Sequence, residues 1–297
     1  MRELKGRVAV ITGAGSGMGR SMALSLAREG VDIVVADIEL EWAEKVRGEI
    51  EALGREAIVV ETDVSDAESV DRLADRAFEQ FGKVDILINN AGVTLVPFRA
   101  MWDTSVADYR WIINVNLFGV IHGVTAFVPR MRRQAGEKHI VNTSSLAGIV
   151  NVPGNGAYVA SKVAVTGLSD TIREELAAEN FGVTVLLPGF VHSNILSSER
   201  LRPAADQAGS RNVPAYSDYA VKMAQGDTDN SDIAGAVTLK DAGTIAQGID
   251  ADLVGPMVVH AIRENEPHCL THPSPVDAIR KRAEALNRAH FPVTEPA

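Results

Sequence analysis

A single cysteine in 297 residues leaves no intrachain disulfide to form, so nothing in the chain calls for an oxidising compartment. Cys269 itself reads as a small buried hydrophobe. Positive charge is also scarce, with 29 Lys and Arg against 39 Asp and Glu. The resulting net charge of −10 opposes contact with a phosphate backbone, and nucleic acid is not an expected partner. No apolar run reads as long enough to span a bilayer, and the segment Met1 to Arg7 runs into the first apolar residues without a small-residue cleavage site. Repeats, low-complexity tracts and domain linkers are missing too. His122 and His272 have no ligand constellation around them, so no metal site is expected. These absences leave a cytoplasmic globular protein, neither membrane-bound nor nucleic-acid-bound, with an ordinary 46% hydrophobic and 23% charged composition.

What is present is an alternation. Arg7 to Thr12, Asp32 to Ala36, Ala57 to Glu61, Val84 to Ile88 and His139 to Thr143 are short runs rich in Val and Ile. Between them lie helical patterns at Gly17 to Glu29, Glu41 to Leu53, Ala67 to Phe81 and about Ala107 to Arg132, followed by a helix near Ala157 to Glu179 and a strand at Gly182 to Leu187. Strands alternating with helices predict βαβ units and a parallel sheet covered on both faces. Ser65-Asp-Ala-Glu68 reads as a capping box. After Pro188 the rhythm breaks, and residues 192–242 read as a lid-like insertion. Periodicity resumes from Gly243 to Glu264, with a strand candidate at Cys269 to Thr271 and a last helix from Val276 to Arg288. The expected organisation is one doubly wound α/β domain over 1–297, with 266–297 as a C-terminal extension.

The first strand ends in Thr12-Gly-Ala-Gly-Ser-Gly-Met-Gly19. Glycines here let backbone N–H groups and a helix dipole approach a pyrophosphate. Met18 stands where the usual fingerprint has its third glycine. Asp37, with Ile38 beside it, follows the second strand, where a carboxylate can hold ribose hydroxyls or cap the next helix. A 2′-phosphate would meet that negative charge, and no Lys or Arg flanks it, so NAD is expected over NADP. Further on, Tyr158 and Lys162 are four residues apart, placing both on one helical face where an ammonium can stabilise a phenolate. A tyrosine near pKa 10 is a poor base at neutral pH without such help.

With Asn89-Asn-Ala-Gly92 and Ser145 in order between the glycine turn and the Tyr158/Lys162 pair, the chain resembles the short-chain dehydrogenase/reductase family from about Lys5 to Ser193. The resemblance implies a Rossmann-like domain, usually with seven parallel strands. It places Gly13, Ser16, Gly17, Met18 and Gly19 at the pyrophosphate, Asp63 and Val64 at the adenine, and Asn90, Ala91 and Gly92 by the ribose. Pro188, Gly189, Val191 and Ser193 would flank the nicotinamide. Tyr158 is implied as acid/base, Lys162 as the group that depresses its pKa and binds ribose, and Ser145 rather than Ser144 as the hydrogen-bonding partner of the reacting oxygen. Asn116 would hold a water linking Lys162 to solvent.

Gly119 to Gly123, Pro188 to Val191 and Thr271 to Pro273 resemble short-chain alcohol dehydrogenases acting on bulky ketones, including those of lignin-derived aryl ethers. Leu95, Val96, Phe98, Leu146, Val152, Phe190, Ile195 and Leu196 are candidates for either substrate contact or ordinary packing. Their apolar character points to a neutral aromatic, alicyclic or steroid-like secondary alcohol. A 3-oxoacyl thioester reductase would call for NADP and a basic docking patch, and a non-catalytic NAD-binding sensor would need only the turn and Asp37. Apolar residues around more than one face of the helices holding Trp111, Ile112, Val115, Val120, Ile121, Phe127, Val163, Val165 and Leu168 predict a homodimer or homotetramer.

Overall fold

In a computed structural model of the chain, residues 1–204, 215–217 and 248–288 are described. Strand β1 (Val8–Thr12) is buried throughout, and so are β4 (Ile86–Asn89), β5 (Lys138–Thr143) and β6 (Phe181–Leu187). Burial on both faces is why these segments read as continuous apolar runs rather than alternating ones. With β2 (Asp32–Asp37), β3 (Ala57–Glu61) and β9 (His268–Leu270) they form a seven-stranded parallel sheet in the order β3-β2-β1-β4-β5-β6-β9. The expected doubly wound α/β fold is present. The stretch read as a C-terminal extension therefore begins by supplying the edge strand, through the pairs Val185–His268 and Leu187–Leu270.

Successive residues of β1 point to opposite faces. Ala9 and Ile11 join a core with α1 (Gly17–Arg28), α2 (Leu40–Ala52) and α7 (Val254–Glu264), which contribute Met22, Leu26, Ile50, Val258 and Ile262. Val10 faces the other core, with Leu73 of α3 (Ala67–Phe81), Phe127 and Met131 of α5 (Gly119–Met131) and Ile172 of α6 (Gly156–Glu175). Each such side chain contributes roughly 1.5–3 kcal/mol by leaving water.

Helix α3 is capped by Asp66, whose side chain accepts from the Glu68 N–H, and stops at Gly82 in the left-handed region. The expected box at Ser65 is not formed. Ser65 instead donates its N–H and Oγ to Asp63 Oδ1 at 2.9 and 2.7 Å. A reciprocal box does occur at Ser105 and Asp108, opening α4 (Val106–Ile113). Helix α4 continues through a π-helical turn, Asn114–Phe118, into α5. The 26 residues from Val106 to Met131 are long and apolar enough, by length and composition, to cross a membrane. This corrects the reading that no run reaches that length. Half of the segment's most apolar stretch is buried inside the protein, where Ile112, Val120 and Phe127 lie in its cores.

After β6 a two-stranded sheet pairs β7 (Val191–His192) with β8 (Ile249–Asp250). Residues Asn194–Leu201 form 3-10 turns. Most of the predicted lid and the first part of the Gly243 to Glu264 pattern lie outside the described residues. The last helix, α8, spans Val276–Arg288 and buries none of its residues.

Candidate active site

Strand order reverses between β1 and β4, the position where open parallel sheets offer a crevice. The glycine turn sits there. Gly13 is in the left-handed region at φ +64°, and a Cβ on it would stand 2.9 Å from Ala91 Cα. A Cβ on Gly19 would stand 2.0 Å from Gly13 O. The turn therefore has its shape because nothing but glycine fits. Ser16 has extended backbone at the N-cap of α1, with no side-chain cap bond and no acid in the first turn. The first N–H groups and the positive end of the helix are thus left for an anion, a donor set suited to a pyrophosphate. Met18, the departure from the fingerprint, packs against the α1 core.

Asp37 is nearly buried at the end of β2. Oδ2 accepts from Gly15 N at 2.7 Å and Oδ1 from Glu39 N at 2.9 Å. Burial pushes its pKa up, against the pull of those backbone hydrogen bonds. The N-cap of α2 is Glu39, so Asp37 does not serve as that cap. Ile38 is exposed beside it. Asp63 is turned onto Ser65. Val64 is buried against the Gly119 backbone, and its carbonyl contacts His122 Nδ1 at 2.9 Å. Asn90 donates its side-chain amide to Thr12 O and Gly13 O at 3.0 and 3.3 Å, which ties β4 to the turn. Gly92 lies where a Cβ would come 3.3 Å from Asn116 Oδ1 and 3.5 Å from Lys162 Nζ.

At the end of β5 the two serines diverge. Ser144 Oγ is buried and bonds Lys162 O and Thr166 Oγ1, both at 2.8 Å. Ser145 Oγ accepts from Ala147 N at 3.1 Å, donates to Pro188 O at 3.3 Å and hydrogen-bonds Tyr158. Helix α6 starts just before Tyr158 and sets Lys162 one turn on, its Nζ 5.5 Å from the Tyr158 ring centroid and 2.9 Å from Thr143 O. Burial lowers the Lys162 pKa to about 8. Burial also raises that of Tyr158, with the Ser145 hydrogen bond opposing. Both groups are removed from water, and desolvation favours each neutral form. Asn116 is fully buried in the π-helical turn, the kind of irregularity that clusters at functional sites. Its side chain is engaged by Val93 N and O at 2.8 and 3.0 Å and by Ser161 Oγ at 3.2 Å.

Gly189 N donates to Thr271 Oγ1 at 3.1 Å, and Thr271 bonds His272 Nδ1. Among the described residues no three His, Cys, Asp or Glu side chains are grouped to hold a metal. Val191 is buried in β7, and Ser193 lies close to the turn, its Cβ 3.0 Å from where a Cβ on Gly17 would stand. Ser198 Oγ accepts from Thr94 N at 3.0 Å. Of the apolar candidates, Leu95 belongs to a core with Trp111, Ile112 and Ala157, whereas Val96, Phe98 and Leu196 are exposed. Trp111, Ile112, Val120, Phe127 and Val165 are likewise buried inside this chain, Val115, Ile121 and Leu168 are half-buried, and Phe118 and Val163 are exposed. One residue missed in the sequence is Arg200, which reaches Glu39 from 161 positions away and lies 5.0 Å over the Trp42 ring.

A family model for the short chain dehydrogenases matches residues 7–203, a span holding the turn, Ser145, Tyr158 and Lys162. The chain belongs to the short-chain dehydrogenases. It is 32% identical to a CLA biosynthesis dehydrogenase/reductase of Lactiplantibacillus plantarum over 96% of this chain and 95% of that one. It is 40% identical to a C alpha-dehydrogenase of Sphingobium sp. strain SYK-6 over 69% and 67% of the two chains. A short chain dehydrogenase/reductase of Burkholderia phymatum, solved in complex with NAD, superposes with a TM-score of 0.83 at 35% identity, covering 100% of this chain and 99% of that one. This short-chain dehydrogenase is an oxidoreductase acting on CH–OH groups with a nicotinamide cofactor.

Proposed function

We propose that the protein interconverts a bulky, neutral, aromatic or alicyclic secondary alcohol and its ketone, using NAD in preference to NADP. The observation that carries this reading is the convergence of Ser145, Tyr158 and Lys162 beside an uncapped helix N-terminus. A nicotinamide dinucleotide would be held by the Gly13 to Gly19 turn at its pyrophosphate, by Asp37 at its adenosine ribose and by the Pro188 to Ser193 segment at its ring, and would supply the hydride acceptor or donor. The chain's residues manage the proton and the charge on oxygen. Ser145 Oγ donates a hydrogen bond to the reacting oxygen. Tyr158 Oη gives its proton to that oxygen in reduction and removes it in oxidation.

With its pKa near 8, Lys162 is mostly a cation at pH 7, and its charge beside the phenol favours the phenolate when oxidation requires one. The raised phenol pKa keeps Tyr158 protonated at neutral pH, so reduction proceeds there and oxidation speeds up as pH rises. NAD is favoured because Asp37 and Glu39 are both anionic at the ribose end, and Arg200 is already paired with Glu39. A neutral ring substrate is supported by the exposed apolar side chains of Val96, Phe98 and Leu196 and by the similarity to a C alpha-dehydrogenase. A cytoplasmic homo-oligomer belongs to the same proposal.

The test is a panel of aryl and alicyclic secondary alcohols with NAD, followed by absorbance of the reduced cofactor. Tyr158→Phe is expected to lower kcat by at least about 100-fold, the general acid/base share of catalysis, while NADH affinity stays within about threefold. Full turnover in that variant refutes the assignment.

A further inference from the structure

The segment from Ser193 to Leu201 runs from the glycine turn, where Ser193 abuts Gly17, to the far rim of the cofactor crevice. There Arg200 grips both oxygens of Glu39: Nε lies 3.3 Å from Oε1, and Nη2 contacts Oε2. Its remaining nitrogen, Nη1, is held by Ser197 O and Oγ, each at 2.9 Å, and the guanidinium lies over Trp42. This is the rim on which Asp37 sits. A Cβ on Gly15 would meet Asp37 Oδ2 at 2.9 Å and Trp42 Cβ at 3.1 Å, and Glu39 N donates to Asp37 Oδ1. Asp37, Glu39, Trp42 and Arg200 therefore form one contiguous edge. The side chains of Glu39 and Arg200 are 26% and 33% exposed. An ion pair this wet contributes little to stability, so its fixed geometry calls for another role.

A guanidinium with an oriented fork is also the group that best takes a phosphate in two parallel hydrogen bonds. We propose that Glu39 sets the dinucleotide preference by occupying Arg200, and that neutralising Glu39 turns Arg200 into a site for a 2′-phosphate. In the wild-type protein that phosphate meets two carboxylates and a cation already satisfied. With Glu39 neutral, the same cation stands oriented and unpaired by carboxylate beside the ribose, and a charge-assisted hydrogen bond of this kind is worth about 1.5–3 kcal/mol, or at least tenfold in affinity. The proposal rests on the turn being a dinucleotide site.

Titration of full-length protein with NADH and with NADPH, followed by fluorescence without substrate, tests it independently of turnover. Glu39→Gln keeps the side-chain shape, and Glu39→Ala serves as a second variant. The ratio of the NADPH to the NADH dissociation constant is expected to fall by about tenfold or more in either variant. It is expected to return to within about threefold of wild type when Arg200→Ala is added. An unchanged ratio in both Glu39 variants overturns the proposal, and so does a gain that survives Arg200→Ala. Wild-type protein that binds neither dinucleotide overturns the cofactor reading beneath it.

Discussion

Asp108 at the first turn of α4 is fully buried and shared by two arginines that are themselves buried. Arg99 Nη1 lies 3.2 Å from Oδ2, Arg202 Nη2 contacts Oδ1, and Ser105 donates its N–H and Oγ to Oδ2, both at 2.9 Å. Arg202 also lies 5.1 Å over Trp111 and 3.5 Å from Glu199. Asp108→Asn keeps the shape of the side chain and removes its charge, taking from two buried guanidinium groups the carboxylate they share. Removing one partner from a buried ion pair costs about 3–5 kcal/mol, because the desolvated charge left behind is uncompensated. For a chain of this size that is about 6–20 °C in Tm.

Burial pushes the Asp108 pKa up, but the hydrogen bonds from Arg202 and Ser105 and the Arg202 charge outweigh it, and the net shift is downward from 3.8. A depressed carboxylate contributes stability above its unfolded pKa and loses it as pH falls through the folded value. The gap between wild type and variant is therefore expected to be the same at pH 7 and pH 5, and to close only below 3.8. Melting curves by circular dichroism at several pH values measure this. A Tm within about 2 °C of wild type at pH 7 refutes the claim that Asp108 holds the cluster together.

Gly19→Ala places a methyl group 2.0 Å from Gly13 O and 2.9 Å from Ala14 Cα, so the turn must open. Overpacking of about 1–3 kcal/mol predicts a loss of roughly fivefold or more in NADH affinity by titration, and undiminished binding contradicts the account of the turn. Lys162 has a folded pKa near 8 against an ordinary 10.5. The unfolded chain therefore binds more protons between those values, and stability is expected to rise with pH from about 8 towards 10.5 and to stay flat below. Lys162→Met is expected to remove that rise in denaturant midpoints measured from pH 7 to 9.5; an identical slope in both proteins counts against the burial argument.

The alternation of Val- and Ile-rich runs with helical periods was legible because the central strands are covered on both faces, so runs such as Val8–Thr12 and Phe181–Leu187 are buried at every position. Helices α3 and α8 lie where the periodicity places them, at Ala67–Phe81 and Val276–Arg288. The site was legible where chemistry needs fixed local spacing, as in the turn and the Tyr158/Lys162 pair. Contacts between distant residues were not. Arg200 reaches Glu39 across 161 positions and Arg202 reaches Asp108 across 94, and no local pattern announces either. Nor does any local pattern say which apolar residues of α4 to α6 are used inside the chain. Those helices pack on one another as well as on the sheet, so Trp111 and Val165 are hidden without a partner chain. The phenol pKa depends on burial, which spacing does not express.

The segment from Ser193 to Arg202 works as a crossbar. Its first residue rests on the glycine turn, Ser198 is bonded to Thr94, Arg200 is fastened to Glu39 just beyond the second strand and Arg202 is locked into the Asp108 cluster. A rod pinned at four points to both halves of a crevice cannot be loosened at one without being felt at the others. The position of this segment is therefore set jointly by the glycine turn, the end of the second strand and the Asp108 cluster.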